Sequence, residues 1–364
     1  MADDTLWDMK PHTAMKHAIL RRYLQGFYPK LSRWHDRIMV VDGFAGPGVY
    51  KGGEDGSPIV ALDALEEHSD FANMGDCSFT FLFVEERKDR VDVLQGILDE
   101  RGVVANVEPR VCHGTFESHV LGALAELRRQ PGMPAFFMLD PFGVKGLPLR
   151  VLREIAEFPK AELLVSYMYQ STNRFRATPE LQPHLDDFFG MREWRQAEQY
   201  KGDERKDFLR DLYERRLGSI GMEYVRMFEM RDELNQPEYF LAFATHSPHG
   251  LRVMEDSMWK ADQSRGAEFS DFAAPSPLQG VLFPPEPDYA NLETLLVGHF
   301  RGRRNVPIHE VNDFVLKRTD FRETHGRTAL KKAAEESRVT VDRPLDKAPN
   351  YWGEGTTVTF LPPE

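Results

Sequence analysis

Two cysteines in 364 residues, Cys77 and Cys112, are too few for a disulfide framework or a four-thiolate zinc site. They read as ordinary thiols in a reducing compartment. The start, "MADDTLWDMKPH", lacks the basic and apolar regions of a signal peptide. No apolar run approaches the length needed to cross a bilayer. A cytoplasmic protein with no membrane partner is the expectation. Positive charge is outnumbered, 46 Lys/Arg against 58 Asp/Glu: the formal net charge of -12 argues against a chain that coats nucleic acid over its whole surface. A local basic face remains open, because binding follows charge distribution as well as the total. There is no GxSxG elbow of a serine hydrolase and no recognised spacing of metal ligands.

What is present is an alternation of buried strands and helices. A composition 41% hydrophobic and 29% charged suits a globular protein of one large α/β domain plus a smaller module. Residues 12 to 28 place Met15, Ile19, Leu20, Tyr23, Leu24 and Phe27 at helical spacing before the first strand. Apolar runs in "RIMVVDGFAG", "SFTFLFVEE", "PAFFMLDPFG" and "AELLVSYMY", and a short strand and turn in "NVEPRVCHGTF", alternate with helical stretches. Strands apolar throughout imply a parallel sheet covered on both faces. "YVRMFEMRD" and "PEYFLAFATHS" then read as an antiparallel hairpin. The fold class is therefore α/β, a Rossmann-like sheet of the S-adenosylmethionine (SAM) methyltransferase type, over residues 1 to 265. "FAAPSPLQGVLFPPEPDYA" holds five prolines and reads as a linker over 266 to 289. Residues 290 to 364 show three helices and two short strands, the winged-helix order.

Ligands of such sheets bind outside the carboxyl ends of the strands. Asp42 sits at one of these ends, followed by Gly43, Phe44, Gly46 and Gly48, a candidate cofactor cradle where glycine lets a ligand approach the backbone. "VYKGGEDG" separates the glycines from the next helix, so a phosphate does not meet a helix N-terminus. A cofactor without phosphates suits this loop better than NAD, and the insertion reads as a mobile flap. Glu85 closes the next strand as the expected acceptor for two ribose hydroxyls, with Glu86 competing for the role. Its interval from Asp42 is about twice the roughly 20 residues of dinucleotide folds. Thr115 lies where an adenine contact is expected.

"LDPFG" supplies the catalytic candidates Asp140, Pro141 and Phe142. Methyltransferases acting on exocyclic nitrogen use an acid or amide, a proline and an aromatic here, the oxygen holding the amine and the ring stacking on a base. A second proline is missing. Lys10, His12, Lys16 and His17 form a polar cluster, and Lys10, His12, His17, Asn173 and Arg174 are substrate-rim candidates. From Arg301 to Arg338 there are ten Lys/Arg against six Asp/Glu. Arg322, Arg327, Lys331 and Lys332 lie on or beside the third helix of this module, the element that enters the major groove in helix-turn-helix proteins. A solvated helix that contacts only protein is the other reading.

Together "KPHTAMKHAILRRYL", "VDGFAGPGVYKGGEDGSPIVAL", "FLFVE", "LDPFGVKGLP", "STNRF", "YFLAFATHSPHGLRVMEDSMWKAD" and "FVLKRTDFRETHGRTALK" resemble the three-Cys-motif partner protein (TcmP) family. The resemblance implies a methyltransferase-like domain, a winged helix, and a radical-SAM partner bearing three cysteines, in phage-linked or DNA-repair settings. It supplies no established reaction. Members usually carry an acid where Thr115 stands. The expected function is a SAM-dependent methyltransferase-like protein acting on nucleic acid. The alternative is a module that binds SAM or another ligand without turnover and docks the radical-SAM enzyme or DNA.

Overall fold

A computed structural model describes residues 5 to 143, 145 to 263, 266 to 273 and 286 to 361. Two compact units emerge: Met1–Ser257 with Glu268–Ala274, and Met258–Ala267 with Pro275–Glu364. Residues 274 to 285 of the expected linker lie outside the described residues.

The first unit opens with helix α1 (Pro11–Ser32), which carries proline at its first position and buries Ile19, Leu20, Tyr23, Leu24 and Phe27 as its spacing requires. It runs past the expected end at residue 28, through Pro29. Then follow β1 (Arg37–Asp42), α2 (Ser57–Glu66), β2 (Ser78–Glu85), α3 (Lys88–Arg101), β3 (Val107–His113), α4 (Phe116–Arg129), β4 (Ala135–Leu139), α5 (Leu149–Ala156) and β5 (Ala161–Tyr167). Helices α6 (Tyr169–Phe175), α7 (Gln182–Phe189) and α8 (Gly202–Ser219) precede the hairpin β6 (Tyr224–Arg231) and β7 (Pro237–Thr245). Helix α9 (Pro248–Ala261) and a short β8 (Glu268–Ser270) follow.

These strands make one sheet in the order β3-β2-β1-β4-β5-β7-β6-β8. Strands β1 to β5 pair in parallel, and β7 is antiparallel to both β5 and β6. This is the Rossmann-like sheet with an antiparallel finish expected from the strand pattern. It gains β8, parallel to β6, in a stretch that composition had placed in the linker. The period-2 alternation of each strand divides the core. Met39, Val41, Phe137 and Leu139 face the cluster formed with α4, α5, α7 and α8. The alternate Phe136 and Phe79 meet Tyr23 and Tyr28 of α1, with ring centroids 5.3 and 5.7 Å apart. The chain switches from the β2–β3 side to the β4 side next to β1, so the crevice opens at the carboxyl ends of β1 and β4.

The second unit contains α10 (Tyr289–Phe300), β9 (Val306–Pro307), α11 (Ile308–Arg318), α12 (Glu323–Glu335), β10 (Val339–Asp342) and β11 (Thr357–Phe360). Its antiparallel sheet has the order β10-β11-β9. Three helices followed by two strands is the expected sequence of elements, with β9 in addition. Leu292, Leu296, Val311, Val315, Leu330 and Val358 are among the residues of its own core. No helix among the described residues is long and apolar enough to cross a membrane.

Candidate cofactor and substrate site

Parallel pairing brings Asp42 opposite Phe83 of β2 and Met138 of β4, so the acids at the strand ends converge on one edge. Asp42 is buried, and its two oxygens accept from Ser57 Oγ at 2.6 Å and the Phe44 amide at 3.1 Å. Burial raises its pKa to about 6, against those two bonds, which favour the charged form. Asp42 thus fastens the loop from behind and does not line the cavities described below.

The loop itself is strapped to the sheet. The Gly43 amide donates to the Met138 carbonyl and the Ala45 amide to that of Val84. Gly46 and Gly48 adopt φ of 63° and 77°, which favour glycine. A Cβ on Gly48 would lie 2.6 Å from Leu94, and one on Gly43 would lie 2.7 Å from Phe116 and Leu139. At those two positions glycine is required by packing within the protein, and each also lines a cavity described below. The inserted segment is a tight hairpin: Val49 bridges Asp55, and the Gly56 amide donates to the Gly48 carbonyl at 2.8 Å. The segment read as a flap from the sequence is thus a hairpin with its own backbone pairing.

Glu85 ends β2 and is buried. One oxygen accepts from the Gly46 amide at 2.9 Å and the other from the Arg87 amide at 2.8 Å. Each oxygen keeps a further lone pair for a ligand. Glu85 lines a cavity of about 390 Å³ with Gly43, Phe44, Val84, Arg90, Phe116 and Phe142 among its walls. The size, the aromatic and aliphatic walls and the one buried carboxylate among exposed ones suit a nucleoside-bearing ligand. Glu86 and Thr115 line the same cavity. The Thr115 hydroxyl also caps α4, accepting from the Ser118 amide at 3.3 Å, so its first task is local.

A smaller cavity of about 30 Å³ adjoins through the shared residues Phe44 and Phe142, and it is lined by Gly46, Gly48, His17, Tyr50, Ser57 and Asp140. Asp140 follows β4 and forms an ion pair with Lys16, whose side chain is buried. Burial pushes the Asp140 carboxyl up, but the Lys16 charge and hydrogen bond, joined by one from Ser166, hold it below the usual range. His17 is buried, and its Nδ1 has no hydrogen-bond partner. Burial and then the Lys16 ammonium lower its pKa to about 3, so it is neutral at physiological pH. Pro141 is buried, whereas Phe142 is 67% exposed and held edge-on to Trp7 at 5.8 Å.

Other rim candidates are placed apart from these two cavities. Lys10 is exposed at the N-cap of α1. His12 is buried, its Nδ1 2.7 Å from Asp271 and its ring edge-on to Tyr239, so it joins α1 to the end of β8. Asn173 is held by Arg176 and Arg205 at 3.1 and 3.2 Å, and Arg174 lies over Phe175. His12 and Asn173 are thus both held by partners within the protein. Residues that the sequence reading passed over are Trp7, Tyr50 and Arg90. Nothing local marks them: Trp7 precedes the first helix and Arg90 resembles any helical arginine. Among the described residues, no three His, Cys, Asp or Glu side chains are grouped as ligands for a metal ion.

In the second unit Arg322 caps α12 through His325, and Lys332 Nζ lies 4.5 Å from the Tyr289 ring centroid. Lys331 is exposed, and Arg327 is half-buried with an unpartnered Nε. Arg327 and Lys331 are four residues apart and share a helix face.

No protein-family model and no curated protein matches the chain. Solved methyltransferases are similar to it. Trm1 from Pyrococcus horikoshii, in complex with S-adenosyl-L-methionine, is 14% identical, with a TM-score of 0.39 over 98% of this chain and 93% of its own. Geranyl diphosphate methyltransferase in complex with GPP and sinefungin is 13% identical (TM-score 0.26, 61% of this chain and 77% of that one). A cyclopropane synthase from Mycobacterium tuberculosis is 10% identical (TM-score 0.28, 63% and 65%). At such scores these likenesses carry no argument of their own. The architecture rests on the strand order and register.

Proposed function

We propose that this chain is a SAM-binding methyltransferase acting on nucleic acid. The observation that carries the reading is the 390 Å³ cavity at the carboxyl edge of a methyltransferase-ordered sheet, with the Glu85 carboxylate buried in its wall. Glu85 would hold ribose hydroxyls, and Phe44, Val84 and Phe116 would enclose the nucleoside. Bound SAM would supply the methyl group. The residues of the chain contribute position and orientation. Phe142, exposed beside both cavities, offers a face on which an unstacked base rests. Asp140, ionised and partly exposed, accepts a hydrogen bond from an exocyclic amine. The unpartnered Nδ1 of neutral His17 is a second acceptor in the same small cavity.

The α12 cations Arg327 and Lys331 support DNA contact through a winged-helix module. Membership of the TcmP family, a radical-SAM partner and a DNA-repair setting are supported by the sequence motifs alone. One observation favours the second reading, a binding module without turnover: Asp140 is already paired with Lys16.

Titration calorimetry with SAM and S-adenosylhomocysteine tests cofactor binding, and the absence of heat at concentrations that saturate methyltransferases overturns it. Labelled SAM with DNA and RNA separates the two readings. Phe142→Ala is expected to reduce methyl transfer by tenfold or more, the scale of one lost base stack, and by more than it weakens SAM, for which Phe142 is one wall of the cavity. SAM binding with no transfer to any acceptor leaves the binding module.

A further inference from the structure

We infer that Arg90 is the receptor for an anionic group on the ligand of the large cavity. This rests on the cavity being the ligand site. Arg90 lies in the first turn of α3, buried against bulk solvent to 7% exposure, and lines the cavity. Its guanidinium carbon lies 4.7 Å from the Trp7 ring centroid and 5.6 Å from that of Phe142. Those rings meet edge to face, so they fix the guanidinium without consuming its donors. Among the described residues no carboxylate pairs with Arg90, and its buried Nε has no partner.

Other charges around the edge are either paired or, like Glu86 and Lys145 of the cavity wall, exposed to solvent. Lys16 has Asp140, and Arg87 has Asp89 at 2.7 Å. Glu85 is held by two amides, and Glu117 pairs with Arg150. A buried cation without a counter-ion is costly, and cation–π contacts return only part of that cost. The planar fork of donors matches a carboxylate or a phosphate oxygen pair. A ligand with such a group would complete the site. The carboxylate of SAM and a nucleic-acid phosphate are the two sources of this chemistry.

Calorimetry on the full chain distinguishes them, comparing wild type, Arg90→Met and Arg90→Lys. Three probes serve: SAM, 5′-methylthioadenosine (the same nucleoside as a neutral thioether, without the amino-acid chain that carries the carboxylate) and a short single-stranded oligodeoxynucleotide. Arg90→Met is expected to weaken SAM or the oligonucleotide at least tenfold and methylthioadenosine less than twofold. Arg90→Lys should recover part of the loss. Loss confined to SAM assigns the cofactor carboxylate, and loss confined to the oligonucleotide assigns a phosphate. Equal affinities of wild type and Arg90→Met for all three probes overturn the inference. So does an equal loss for methylthioadenosine, which would make Arg90 a wall residue. Failure of the methyltransferase reading looks different: wild type then binds neither nucleoside probe, while an Arg90-dependent oligonucleotide affinity still upholds the anion receptor. Wild type binding none of the probes overturns both. Without ligand, Arg90→Met should melt no lower than wild type, because it removes a buried unpaired charge.

Discussion

Asp42 and Asp140 stand at the ends of neighbouring parallel strands, yet their surroundings drive them in opposite directions. Asp42 receives only neutral donors, a serine hydroxyl and a backbone amide, and burial lifts it to about 6. Asp140 receives the Lys16 ammonium and stays ionised. A strand-end position brings a carboxylate to the crevice, but the charge of its partner decides what it does there. Asp42 is a clamp that tolerates a proton, and Asp140 is a fixed negative charge beside the small cavity.

The largest effect should come from breaking the charged pair. Asp140→Ala leaves the Lys16 cation buried and is expected to destabilise the chain by about 3–5 kcal/mol, read by urea unfolding. Lys16→Met combined with Asp140→Ala should cost clearly less than the sum of the two single changes. Additive costs would show that the pair does not act as a unit.

Asp42→Asn tests the other side of the contrast. As pH rises from the ordinary carboxylate value to about 6, folded wild type retains a proton that the unfolded chain has released. Wild-type stability therefore falls with rising pH across that window. Asn lacks this loss, so above pH 6 it should gain up to about 3 kcal/mol relative to wild type. The gain should vanish below pH 4. A difference between the two that does not change with pH would refute the raised pKa.

The smallest effect on stability belongs to exposed cations without such partners. Lys331→Ala with Lys332→Ala should shift stability by less than about 0.5 kcal/mol. If α12 contacts phosphate, the double variant weakens DNA binding and lowers the slope of log K against log salt by up to about 2. An unchanged slope would assign that helix face to protein contacts.

Much of the sheet was legible because β1, β2 and β4 are apolar runs closed by Asp42, Glu85 and Asp140, and the hairpin finish was visible in "PEYFLAFATHS". The three-residue β8 carries no pattern that short-range reading detects, and helices α6 to α8 fill a stretch left unassigned. At the site, Asp42, Glu85 and Asp140 were visible by position, but their roles were not. Those depend on Ser57, Gly46 and Lys16, partners brought from elsewhere in the chain by tertiary packing. Arg90 was invisible for the same reason, since its two aromatic neighbours come from separate loops.

The neck of the 49–55 hairpin bears on engineering. Gly56 donates to Gly48, and a Cβ on Gly56 would lie 2.8 Å from the Gly48 carbonyl carbon, so this closure admits no side chain. The tip residues 51 to 54 are all exposed beyond it. The closed neck insulates strand and helix from whatever the tip carries. A fluorophore attached through a cysteine replacing Lys51 would therefore report on the cavity rim while leaving the strand end that holds Asp42 in place.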